Sequence, residues 1–242
     1  MRVKPLAFPV GKDSISARLV EPRTGVPGVL FVHGWAGSQE RDTARARALS
    51  QFGFISLTFD LRGHGGSSND IQEMTREDHL HDVCEAYDTL AKQPQVDPSS
   101  IAVVGSSYGG YLAGIALAQR PVRWLALRVP ALYRDDDWGL PKAQLDKEDL
   151  AAYRRSLVTP DSNLALRHCS RFTGDVLIVE SEYDEIVPHP TIASYLSSFV
   201  RAHSVTYRVI SGADHALSSE ASRRAYDQLL SFWLREMIFG AR

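Results

Sequence analysis

Short, continuous apolar runs recur along this chain. Between them lie stretches whose apolar positions stand three or four residues apart. Runs of the first kind fit strands buried on both faces, and stretches of the second kind fit amphipathic helices. Residues 3–10 and 14–20 alternate instead, which predicts two strands joined by a turn at Gly11-Lys12-Asp13. Val29-Leu30-Phe31-Val32 reads as a buried strand, residues 40–51 as a helix ended near Gly53, and residues 54–59 as the next strand. From Thr75 to Lys92 the spacing of Leu80, Val83, Cys84, Tyr87 and Leu90 predicts a helix with one apolar face. Strand 101–104, helix 107–119 and strand 124–128 follow. Residues 129–171 break this rhythm with a polar insertion, helical around 146–157. Strand 176–180, helix 189–201, strand 204–210 and a long helix over 217–238 restore it. Such alternation predicts one α/β domain over residues 1–242, built on a mostly parallel sheet with helices on both faces. The 129–171 insertion leaves the C-terminal end of a strand, where ligands bind in such sheets, so it is expected to act as a lid.

The composition narrows the partners. With 44% hydrophobic and 23% charged residues the chain reads as an ordinary soluble globule, and 242 residues suffice for a substantial core. A net charge of −2 offers no electrostatic reason for nucleic acid or an anionic membrane as partner. No apolar run reaches the length of a membrane span. Residues Met1 to Pro5 carry no apolar leader, and Cys84 and Cys169 form no paired motif, so a reducing cytoplasm is expected.

The chemistry centres on Gly105-Ser106-Ser107-Tyr108-Gly109-Gly110, set between an apolar strand and a helix. Gly-x-Ser-x-Gly in that setting is a nucleophile elbow, and its register selects Ser107 rather than Ser106. A serine hydroxyl is a poor nucleophile until a base takes its proton, and the base needs an orienting acid. His215 lies after the last predicted strand and is the expected base. Asp184, after the strand before it, is the expected acid, with Glu180, Glu182, Glu185 and Asp214 as nearby alternatives. The developing oxyanion needs two backbone donors. Tyr108 N–H should supply one, and Trp35 N–H, or else Ala36 N–H, the other from the loop His33 to Ser38. His33 is expected to brace that loop. His79 and His81 stand two apart and point in different directions on their helix, so Asp78, His79, His81 and Asp82 are expected on a solvated face rather than around a metal. Tyr133 and Trp138 in the insertion are candidates for lining a substrate pocket.

Five segments in order resemble the α/β-hydrolase superfamily: His33 to Ser38, Asp60 to Ser67, Gly105 to Gly110, Asp184 to Pro188, and Asp214-His215. The resemblance implies an eight-stranded α/β-hydrolase fold and Ser-His-Asp acyl transfer through an acyl-enzyme, with no cofactor or metal. It also implies that Asp60 to Ser67 is structural, so Arg62 and His64 receive no catalytic role. Within the superfamily the chain is most similar to small bacterial esterases of the feruloyl-esterase and dienelactone-hydrolase type, although dienelactone hydrolases use a cysteine where Ser107 stands. Ser-Tyr-Gly-Gly-Tyr also resembles the elbow of prolyl-oligopeptidase-type peptidases. The expected activity is hydrolysis of small or medium carboxylic esters. Alternatives are a thioesterase or acyltransferase, a peptidase, and a non-catalytic ligand-binding protein on the same scaffold.

Overall fold

The computed structural model describes residues 2–21 and 27–239. Eight strands form one sheet, in the order β1 (Arg2–Val10), β2 (Asp13–Glu21), β4 (Ile55–Phe59), β3 (Gly28–Val32), β5 (Ile101–Ser106), β6 (Trp124–Arg128), β7 (Asp175–Tyr183) and β8 (Ser204–Asp214). The β1–β2 and β2–β4 pairs are antiparallel, and the five remaining pairs are parallel. This is the α/β-hydrolase sheet that the resemblance implies.

Alternate side chains of the buried strands pack on opposite faces, as the period-two geometry of a strand requires. Leu30, Val103, Leu125 and Ile178 face one layer, which holds α2 (Arg76–Ala91), α3 (Tyr108–Ala116) and α6 (His189–Ser198). Phe31, Val104, Ala126 and Val179 face the other, against α1 (Glu40–Ser50) and α7 (Glu220–Phe239). The predicted apolar face of α2 is buried in full. Its start is set by a capping box, in which Thr75 and Asp78 each accept the other's backbone N–H.

Several helix ends differ from the sequence expectation. α3 stops at Ala116, where the chain tightens into turns such as Gln119 N–H to Ala116 O. α6 stops at Ser198 because Phe199 leaves helical geometry at ψ 49°. α7 starts three residues late, since Leu217 takes a φ of +51°. Between β6 and β7 the insertion forms α4 (Lys147–Arg154), α5 (Leu164–Cys169) and two short 3-10 turns. Asp146 caps α4 and Asn163 caps α5. No helix among the described residues is long and apolar enough to cross a membrane.

Candidate active site

Ser107 occupies the turn between β5 and α3 with φ +52° and ψ −114°, a conformation most side chains avoid. Its glycine neighbours make the turn sterically possible. A Cβ at Gly105 would lie 2.6 Å from Gly109 O, and one at Gly109 would lie 2.2 Å from Val32 O. Gly109→Ala should therefore destabilise the fold by about 3 kcal/mol and lower Tm by roughly 6–12 °C. A Tm within a degree of wild type would refute this account of the turn.

The nucleophile candidate faces a histidine positioned by the far edge of the sheet. β7 and β8 continue as a two-stranded ribbon past a bulge at Ser181/Tyr183, pairing Tyr183 with Asp214. The residues that follow each, Asp184 and His215, are thereby brought side by side. His215 Nδ1 donates to Asp184 Oδ2 at 2.7 Å, and Ser107 Oγ donates to His215 Nε2 at 3.0 Å. Asp184 Oδ1 accepts the backbone N–H groups of Ile186 and Val187 at 2.9 and 2.8 Å, which locks its carboxylate. The competing carboxylates are engaged elsewhere or point away. Glu180 bonds His189 and Tyr207, Glu182 accepts from Ser211 and Gly212, Asp214 accepts from Ser218, and Glu185 is exposed.

The loop after β3 closes the other side of Ser107. A Cβ at Gly34 would lie 4.0 Å from Ser107 Oγ, so the backbone here borders the hydroxyl directly. Neither Trp35 N–H nor Tyr108 N–H has a hydrogen-bond acceptor among the described residues. His33 holds the loop as expected: Nδ1 donates to Gly34 O at 2.7 Å while Nε2 accepts Leu61 N–H at 3.1 Å. Asp60 fastens the same loop, accepting Gln39 N–H, Gln39 Nε2 and Gly66 N–H at 2.7–3.0 Å.

Behind Trp35 lies a buried aromatic cluster of His64, His79, Tyr108, Tyr111 and Tyr133. Here two expectations need correction. His79 and Asp82 are not on a solvated face; both are fully buried. His79 accepts from the Tyr108 hydroxyl and donates to Arg62 O, while Asp82 pairs with Arg62 at 2.7 Å. Only His81 of that segment is exposed. Tyr133 and Trp138 do not reach the cavity that contains Ser107. Tyr133 is buried in the cluster, its ring 4.8 Å from that of Tyr111, and Trp138 lines a separate hollow beside α2. The insertion meets the Ser107 side through Lys142 instead, whose Nζ lies 4.0 Å from the Trp35 ring centre. Burial pushes this amine down to about 7. Lys142 carried no motif and was invisible to sequence reasoning.

Burial holds the two histidines of this cluster neutral, pushing His64 down to about 4 and His79 to about 3. The unfolded chain protonates both below about pH 6.5. It therefore binds more protons than the folded state between pH 6.5 and the folded values. The stability contributed is complete above pH 6.5 and is lost on acidification, at up to about 1.4 kcal/mol per pH unit for each imidazole. Urea midpoints should fall from pH 7 to 5, while NMR shows both rings still neutral at pH 5. A protonated His79 at pH 6 in the folded protein would contradict this.

A cavity of about 490 Å³ opens over Ser107 and His215. It is bounded by the Gly34–Ser38 loop, the first turns of α1, Arg128 and residues 215–217. Arg128 is a second residue that sequence reasoning left without a role. Its signal was a lone charge closing an otherwise apolar buried strand.

The fold and the strand–turn–helix elbow are those of the α/β-hydrolase superfamily. Residues 41–238 match the model of the prolyl oligopeptidase family, and the chain belongs to that family. An uncharacterized protein of Mycobacterium tuberculosis is 30% identical over 189 residues, covering 78% of this chain. The match spans 63% of that relative's length, less than two thirds of it. Among solved structures, Est1E from Butyrivibrio proteoclasticus with ferulic acid bound superposes with a TM-score of 0.76 at 18% identity, covering 97% of this chain and 99% of that one. Pyrococcus horikoshii acylaminoacyl peptidase superposes with a TM-score of 0.75 at 14% identity over 100% of this chain, but only 42% of its own. These two likenesses establish the shared fold.

Proposed function

We propose that this protein hydrolyses small or medium carboxylic esters through an acyl-enzyme on Ser107. The observation that carries the proposal is the continuous hydrogen-bond line Ser107–His215–Asp184 at the floor of an open cavity. Ser107 Oγ attacks the ester carbonyl carbon as its proton passes to His215 Nε2. The carbonyl oxygen, now negative, takes hydrogen bonds from Trp35 N–H and Tyr108 N–H. Collapse of this intermediate breaks the bond to the alcohol oxygen, which leaves with the proton from His215. Water then attacks the acyl-Ser107 ester, giving a proton to His215; collapse breaks the bond from the acyl carbon to Ser107 Oγ, which takes that proton back from His215 as the carboxylic acid departs. Asp184 keeps the proton of His215 on Nδ1 and stabilises the imidazolium at each stage.

Family membership favours a second reading, a peptidase that cleaves amides by the same steps. A reducing, cytoplasmic setting fits the buried free thiols of Cys84 and Cys169. Labelling with a fluorophosphonate, followed by peptide mass spectrometry, tests the nucleophile. An adduct on Ser107 that disappears on heat denaturation is expected. No adduct on the folded protein would overturn the proposal. A matched set of oxygen ester, acyl-CoA and acyl-peptide then tests the leaving group, with the oxygen ester expected to be fastest.

A further inference from the structure

Two arginines beside the cavity have no carboxylate within ion-pair distance among the described residues. Arg128, at the end of β6, is buried, with 8% of its surface exposed. Its Nη1 donates to His215 O at 2.9 Å, and its guanidinium carbon lies 5.8 Å from the Tyr226 ring centre. Arg41, on the first turn of α1, donates from Nη1 to Ala216 O at 2.7 Å. Neither forms an ion pair with a carboxylate among the described residues. Arg45, one turn along α1, behaves differently: Asp42 at 2.8 Å and Asp227 at 2.7 Å neutralise it. Asp42, the carboxylate that lines the cavity, is thus already engaged.

A guanidinium carries five donors in a planar fork. Arg41 and Arg128 each spend one on neighbouring carbonyls of the loop that carries His215. None of Arg128's other donors is sealed away without a partner, and both residues line the cavity that holds Ser107. Burial pushes Arg128 down from the usual guanidinium range, an effect that the neighbouring charges of Asp184 and Asp42 only partly oppose. An unpaired, desolvated cation is unfavourable unless something else supplies the negative charge. Planar, bidentate recognition of a carboxylate or phosphate is the chemistry this side chain serves best.

We infer that Arg41 and Arg128 form an anion subsite, so that the preferred substrate carries a carboxylate or phosphate group a short chain away from the scissile carbonyl. The inference rests on the ester-hydrolase reading for the word substrate, but the subsite itself is tested without turnover. Isothermal calorimetry of the full chain with glutarate, and separately with inorganic phosphate, reads the subsite directly. Saturable binding of one of them is expected, weakened about ten-fold or more in Arg41→Gln and in Arg128→Met, and partly restored in Arg41→Lys. The stronger of the two ligands names the group. Arg41 is exposed, so its variants fold even if Arg128→Met does not.

The kinetic arm compares the 4-nitrophenyl hemiester of glutaric acid with 4-nitrophenyl pentanoate. Wild type should favour the charged ester by about ten-fold or more in kcat/KM, and Arg41→Gln should bring the ratio toward one. An equal loss on both esters would mean that Arg41 only clamps the His215 loop, and would overturn the subsite. Ester cleavage with no anion binding and no preference overturns the subsite and leaves the ester reading standing. Anion binding lost in Arg41→Gln with no ester cleaved does the reverse.

Discussion

Ser107→Ala is expected to lower kcat for a small carboxylic ester by about a million-fold, with no loss of Tm. In the proposed mechanism the hydroxyl supplies the attacking oxygen, and of the serines lining the cavity, Ser38, Ser106 and Ser107, it is Ser107 that bonds His215 Nε2. Alanine keeps the Cβ that the turn at φ +52° already accommodates, so the elbow should survive. The backbone bonds of the turn, Ser107 N–H to Arg128 O and Ala131 N–H to Ser107 O, do not involve the hydroxyl. Initial rates should be compared with fluorophosphonate labelling and a thermal melt on the same preparation. A folded variant that retains wild-type turnover would remove Ser107 from the mechanism.

Asp184→Asn should lower kcat by about ten thousand-fold, although it changes one atom. Asp184 Oδ1 accepts two backbone N–H groups, so the amide oxygen of asparagine must take that place. Its NH₂ group then faces His215 Nδ1, which currently donates to Asp184 Oδ2. Two donors cannot share that contact, so the imidazole switches tautomer and carries its proton on Nε2. There it cannot accept the proton of Ser107. Glu182→Gln is the control, because Glu182 serves Ser211 and Gly212 instead. If Glu182→Gln lost activity and Asp184→Asn kept it, the acid would be misassigned.

Gly109 and Lys142 show the two sides of what could be read in advance. Gly109 stands in a local motif whose backbone demands glycine, and the reason is visible in a spacing of two residues. Lys142 acts on Trp35 across more than a hundred positions of chain, with no periodicity or motif to mark it. Helix ends fall between these cases. α3 stops short because the chain tightens into turns after Ala116, and α6 because Phe199 changes dihedral, choices that apolar spacing does not encode.

From sequence alone followed the order of strands and helices, the serine in the elbow and the histidine after the last strand. Local periodicity and a strained turn restrict residue types within a few positions, so such features can be read without coordinates. Loop position in the sequence favoured Asp184 among several nearby carboxylates, but only tertiary structure brings it to His215, through the pairing of Tyr183 with Asp214 beyond a bulge. Tertiary structure also sent Tyr133 into the aromatic core and left Arg128 and Arg41 facing the cavity. These outcomes depend on the register between distant strands and on which charges find partners, and both are settled only when the sheet and its helices pack together.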